Sequence, residues 1–436
     1  MQKIFSSVAL IVLLALGLSA NAQQKLTLNE AIQTALKSNF SIQLAKDSLE
    51  ISKLFNDYGY AGGLPTVTSN ITENKTSSSI QQLYTDPTKN TIKTGVAGTT
   101  VNGNLAASLI LFNGYHIVAT KDRLNALEKQ DQVQLQSRIN NIVSGVMQQY
   151  YNIIHQQEYL KTIQLSIEAS QERMNIVNTK ASVGVANNAD VFQSTLDLNA
   201  LKQGALNQQL IIEQAKVDLL NILALPTDTK YELVDTIKVD PTIKLAAIES
   251  SIKNNPDLLS ADQTIAINQY IEKEVRASMI PTLKATTGYT YSSSKSDAGF
   301  SLLSETYGPY VGVNLSIPLY AGGINKKNYK AAKIGTAMAK TQYSSLENSL
   351  NTAVYKTYIS YLNSVQQSST EQSNYVLAKQ LLELVLSKYK LGQATIVDVK
   401  QAQQSFETAG FRLSSLTYAA KSAEVELKRI SNQLSF

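Results

Sequence analysis

The chain has 436 residues, 43% of them hydrophobic and 17% charged, with a formal net charge of +5. That is globular composition at a length suited to about two or three domains, and it excludes a disordered or collagen-like chain. The positive balance is mild and spread out, with no dense Lys/Arg run interleaved with aromatics, which argues against nucleic acid as a partner.

Residues 1–22 read as a cleaved secretory signal: Lys3 is the positive start, residues 8–18 form the apolar core, and Ala20-Asn21-Ala22 is a small-x-small cleavage site. No Cys is present, so neither disulfides nor a lipid anchor through an N-terminal Cys are expected. After Ala22 no stretch approaches the ~20 apolar residues of a membrane helix. Residence in a membrane would therefore require a β-barrel, the other structure that satisfies its own backbone in lipid.

A first repeat spans residues 23–232. It opens with a helical segment, "AIQTALKSNF" at 31–40, and turns at Pro65 into strands over about 66–84 and 96–112. Val67 and Ile71 mark one face of the first strand, and Leu105, Ala107, Leu109 and Leu111 that of the second. After Gly114 comes a helical hairpin over 115–224. Residues 115–179 contain no Pro and one Gly, and Ile139, Ile142, Val143, Val146 and Tyr150 follow the spacing of an amphipathic helix. A helix of that length would extend on the order of 100 Å. Gly184 then lets the chain reverse into a returning helix.

The second repeat, residues 233–436, restates the plan. "AIESSIKNNP" at 247–256 follows the first helical segment at an offset of 216 positions, as Ile280-Pro281-Thr282 follows Leu64-Pro65-Thr66. Strands are expected over about 282–293 and 307–319, with Leu283, Ala285, Thr287, Tyr289 and Tyr291 alternating with polar residues, and Pro318, Gly322 and Gly323 closing them. A second hairpin, 324–433, carries an apolar stripe through Leu346, Leu350, Val354, Tyr358, Leu362 and Val365. Lys180, Gly184, Asp190, Val191 and Gln193 recur as Lys388, Gly392, Asp398, Val399 and Gln401, always 208 positions on. Between the Pro and the Gly markers the first copy therefore carries eight extra residues, as a surface loop can.

Four strands cannot close a barrel, and an open amphipathic sheet exposes both its edges and its apolar face. Three chains of four strands give twelve, enough for closure, with apolar residues toward lipid and Thr, Ser, Asn and Gly toward a wet lumen. Tyr84, Tyr289, Tyr291, Tyr307, Tyr310 and Tyr320 are candidates for an interfacial aromatic belt. The fold class expected is thus α+β: a trimeric twelve-stranded barrel, four strands per chain, continuous with a long α-helical coiled-coil barrel and built on an internal duplication.

The layout, with "IPLYAGG" at 317–323, "LGQATIVDVKQAQ" at 391–403 and their counterparts in the first copy, resembles the TolC-type outer-membrane efflux proteins over essentially the whole mature chain. The resemblance implies a homotrimer in the outer membrane with a periplasmic tunnel. It also implies docking through a periplasmic adaptor (membrane fusion) protein to an inner-membrane pump of RND or ABC type. The expected function is a passive exit duct for efflux or type I secretion, and the alternative is a structural or adhesive cell-surface coiled-coil protein.

In this frame Gly184 and Gly392 form the periplasmic tips. Asp398 would form a ring of carboxylates at the constriction, or else cap its helix. Gln401 stands where the family usually has a second acid. The resemblance pairs Asp190, itself a candidate cap, with Tyr389 in a closing hydrogen bond, and puts the family's gate Arg at Ala394. Lys400 is expected to face solvent, and His116 and His155 to be surface or packing residues. No phosphate loop, triad or metal spacing emerges, so neither an enzyme nor a cofactor is expected.

Overall fold

The computed structural model describes residues 24–299 and 301–434, so the segment expected to be a secretory signal lies outside the described residues. In chain order the elements are β1 (Gln24–Leu26), α1 (Leu28–Ser38), α2 (Phe40–Phe55), β2 (Thr66–Gln82), β3 (Thr91–Phe112), α3 (His116–Ser182) and α4 (Asn188–Leu223). Then follow β4 (Tyr231–Leu233), α5 (Leu245–Ser251), α6 (Pro256–Ala277), β5 (Thr282–Ser296), β6 (Leu303–Ser316), α7 (Ile324–Lys390) and α8 (Ile396–Ile430). Helices α3 and α7 have 67 residues each.

The chain divides into two compact units, and each draws on both repeats. Among the described residues the first comprises 24–45, Leu135–Pro256 and 347–434. Its core joins Val143, Val146, Tyr150 and Ile153 of α3 to Ile212, Leu219, Leu220 and Leu223 of α4 and to Ala31, Ile32 and Ala35 of α1. Thr27 starts α1 with a capping box closed by Glu30. A short parallel pair, β1 with β4, adds a strand contact the sequence pattern does not announce. Beside it Tyr150 Oη lies 2.8 Å from the Leu26 carbonyl and 2.6 Å from Asp235 Oδ2.

The buried stripes follow the 3.5-residue period of a coiled coil. On α3, Ser166, Ser170, Arg173 and Val177 are all fully buried. On α7 the stripe expected through Leu362 instead runs Leu350, Val354, Tyr361 and Ser364, and Leu362 is exposed. A seven-residue step keeps the seam toward its neighbour, and successive four-residue steps rotate Leu362 out of it.

The second unit, Lys46–Gln134 and Asp257–Leu346, contains one antiparallel sheet in the order β2-β3-β5-β6. Pro65 and Pro281 immediately precede β2 and β5, and Pro309 lies in β6, an outer strand of this four-stranded sheet. Strands β5 and β6 extend further toward their connecting loop than the expected 293 and 307, and β3 begins at Thr91 rather than 96, since ladder pairing continues through Ser- and Thr-rich residues without apolar alternation. At its other end β6 stops at Ser316, short of the expected 319, just before Pro318, which has no N–H to offer. Gly114 (φ 67°) is pressed on Ile280, where a Cβ would lie 2.6 Å from a side-chain carbon. Gly322 and Gly323, both at positive φ, lead into α7. Arg123 and Glu274, 2.8 Å apart, tie α3 to α6.

Candidate functional site

Within the first unit the two helix reversals are the same turn made twice. Gly184 and Gly392 both have φ 76°. The Val185 N–H bonds to the Lys180 carbonyl at 2.8 Å, and the Gln393 N–H to the Lys388 carbonyl at 2.9 Å. This six-to-one bond past a left-handed Gly is the Schellman closure of a helix C-terminus. The structure places the reversals side by side. Lys180 Nζ donates to the Tyr389 carbonyl at 2.7 Å and stands 4.1 Å from that ring's centroid. Val177, Leu386, Tyr389 and Val399 form a small core there, with Val191 and Ala394 packed against it. Burial and the nearby Asp190 charge push the Tyr389 hydroxyl above its usual range.

Each return helix begins with a cap. Thr395 and Asp398 form a capping box on α8: the Asp398 N–H donates to Thr395 Oγ1 at 3.2 Å, and Asp398 Oδ2 accepts the Thr395 N–H and hydroxyl at 2.7 Å each. Those bonds hold the Asp398 carboxyl below its ordinary value. On α4 the cap is Asn187, not Asp190, which offers its backbone N–H to Asn187 Oδ1 at 2.9 Å and supplies the acidic residue of the first turn. An Asn in extended backbone can reach back along the helix start, and this satisfies the cap without the carboxylate. Gln401, one turn beyond Asp398, is exposed.

Lys400 does not simply face solvent. Its Nζ lies 3.0 Å from Asp197 Oδ1, and Asp197 Oδ2 lies 3.0 Å from Nη2 of the fully buried Arg173. Burial works against the Asp197 carboxylate, yet Lys400, Gln193 and Arg173 together hold it below its usual range. Three helices, α3, α4 and α8, thus meet on one carboxylate. Sequence inspection missed Arg173, although a charge at a seam position of a heptad stripe is a usable signal. His155 is buried and stacked on Tyr418, with ring centroids 5.4 Å apart, and His116 Nδ1 lies 3.2 Å from the Thr120 hydroxyl.

The sheet of the second unit has two distinct faces. Its register aligns Val67, Ala107, Thr287 and Val311 in one row, and Leu105, Tyr289 and Pro309 in another row of the same face. Asn70, Asn104, Thr290 and Gly308 align on the opposite face. Val67, Ile71, Tyr307, Val311, Val313 and Leu315 are each exposed by more than half. Tyr289, Tyr291 and Tyr307 share this apolar face. Tyr310 takes the polar one, over Gly288, and Tyr84 and Tyr320 lie outside the strands.

Residues 247–433 match the model of the outer membrane efflux protein family. The outer membrane protein TolC of Vibrio cholerae is 24% identical over 310 residues, covering 67% of this chain and 68% of its own length. The outer membrane efflux protein BepC of Brucella suis is 21% identical over 394 residues, 88% of this chain and 81% of its own. The outer-membrane channel OprN shares the fold with a TM-score of 0.77 at 14% identity, over 93% of this chain and 90% of its own. By family match over its second half, by relatives over most of its length and by fold over nearly all of it, the chain is similar to the outer-membrane efflux proteins.

Proposed function

We propose that the chain is an outer-membrane exit duct that works as a homotrimer. The observation that carries this is the sheet β2-β3-β5-β6: four strands, two unpaired edges and an apolar face left exposed. Such a sheet is stable in lipid only when closed, and three copies supply twelve strands. The helices support the same assembly. Tyr355, Ile359, Leu362, Leu377, Leu381 and Leu384 leave apolar stripes exposed on α7, as Phe192, Leu196, Leu206 and Leu210 do on α4. Stripes of that spacing pack against neighbouring helices.

In this reading the polar sheet face lines the barrel lumen and the helices form a periplasmic tunnel. Gly184 and Gly392 mark its far end, where Asp190, Tyr389, Asp398 and Gln401 surround the constriction. A periplasmic adaptor joins that end to an inner-membrane RND or ABC-type pump, which drives transport while the duct passes cargo passively. Its capping bonds leave Asp398 ionised at neutral pH, so one residue both starts α8 and contributes to a carboxylate ring. The junctions at Pro65, Gly114, Pro281, Pro318, Gly322 and Gly323 connect tunnel helices to barrel strands.

Planar-bilayer recording tests this, with wild type and Asp398→Asn compared and a trivalent cation added on the tip side. A cation-selective conductance blocked only when Asp398 is present establishes duct and ring together. Conductance indifferent to Asp398 leaves the duct and reduces Asp398 to a cap. A verified trimer without conductance in any variant, including ones loosened at the tip, would return the chain to a structural or adhesive role.

A further inference from the structure

Arg173 is fully buried on α3, and only part of its guanidinium is used. Nη2 lies 3.0 Å from Asp197 Oδ2 and 3.4 Å from Ser170 Oγ, whereas Nε and Nη1 have no hydrogen-bond partner. An arginine cannot discard its charge to relieve burial, so two orphaned donors leave a persistent demand for an acceptor. Asp197 does not meet it: its Oδ2 serves Nη2, and its Oδ1 already accepts from both Lys400 and Gln193. Among the described residues, Asp197 is the carboxylate paired with both cations, and Glu407 forms no ion pair with either.

A cavity of about 380 Å³ opens at this cluster, with Arg173, Tyr159, Asp197, Gly204, Lys400 and Glu407 in its lining. Its volume falls in the range of small-molecule sites. We propose that this cavity binds a small oxyanion, a carboxylate being the simplest fit, which accepts from Arg173 with Lys400 as the second cation, and that the side chain of Glu407 is its resident competitor. A carboxylate matches the planar donors of a guanidinium better than a spherical ion does.

The competition has a direction in pH. Glu407 faces Arg173, Tyr159 and Ser166 from α3 and Gln403 on its own helix, and Asp197 and Lys400 line the same cavity. Burial raises the Glu407 carboxyl above its ordinary value, against the opposing pull of Gln403, Ser166 and the Arg173 charge. As pH falls, Glu407 loses its charge before an exposed Glu would, and the repulsion of an incoming anion falls with it. Anion affinity should rise as the solution becomes mildly acidic.

The test is line broadening of [13C]acetate by the full-length, detergent-solubilised protein at constant ionic strength, at neutral and mildly acidic pH. Saturable broadening is expected, competed by sulfate and stronger at the acidic pH. Arg173→Gln should weaken it by about tenfold or more, the worth of a lost charged hydrogen bond. Glu407→Gln should bind at neutral pH as wild type does in acid and lose the pH dependence. Absence of saturable broadening in wild type, or equal binding by Arg173→Gln, overturns the proposal. Should Arg173→Gln fail to fold, Lys400→Gln on the exposed rim takes its place. Affinity unchanged in both Lys400→Gln and Glu407→Gln then overturns it equally.

Discussion

Lys180 reaches from the end of one long helix to Tyr389 at the end of the other, donating to its carbonyl at 2.7 Å with the ammonium 4.1 Å from the ring centroid. The two residues stand at the same turn in different repeats, and the packing of the long helices brings them together. Lys180→Met keeps the aliphatic stem and removes both interactions. A loss of about 1–2 kcal/mol in local stability is expected. Hydrogen exchange should accelerate at residues 181–187 and 391–395 while the α1–α3–α4 core keeps its protection; unchanged exchange at the turns would show that the contact holds nothing.

The caps separate by chemistry. Asn187→Ala should cost about 1 kcal/mol at the start of α4. Asp398 differs because it is ionised. Its folded value lies below its usual one through bonds to the Thr395 backbone and hydroxyl, so its contribution is present above the unfolded value and is lost as pH falls through the folded one. Exchange protection at the start of α8 should therefore decline in acid in wild type and stay flat in Asp398→Asn. A parallel decline in both would assign the pH dependence to another group.

Asp197 and Lys400 form one ion pair but should not be equal in cost. Asp197→Ala strands the fully buried Arg173 and is expected to lose about 3–5 kcal/mol. Lys400→Ala, with 44% of its side chain exposed, should cost at most about 1 kcal/mol. Urea unfolding of both variants checks this, and equal losses would mean that Arg173 finds another acceptor when Asp197 is gone.

The two sheet faces predict opposite tolerance to charge. Val313→Lys places an ammonium on the apolar face, at a cost of about 2–4 kcal/mol if that face meets lipid near the membrane centre. Asn314→Lys, one residue on and facing the other way, should be tolerated. Outer-membrane yield and heat-modifiable migration as a trimer are the measurements. Equal recovery of both variants would argue that the apolar face does not meet lipid.

The sequence by itself determined the repeat, the reversals at Gly184 and Gly392, the four strands and the alternation of their faces. Each of these is a local periodicity or a single backbone requirement, copied at an offset of 216 up to the Pro markers and of 208 from the Gly markers onward. What only the tertiary structure decided is which residues from separate helices meet. The drift of the buried stripe to Tyr361, the pairing of β1 with β4, Asn187 as the cap, and the convergence of Arg173, Asp197 and Lys400 all depend on a neighbour's position. A lysine near a helix start has the same sequence signature whether it meets water or a carboxylate 203 residues away. Packing chooses between them, because the buried guanidinium beside that carboxylate leaves it one oxygen to share.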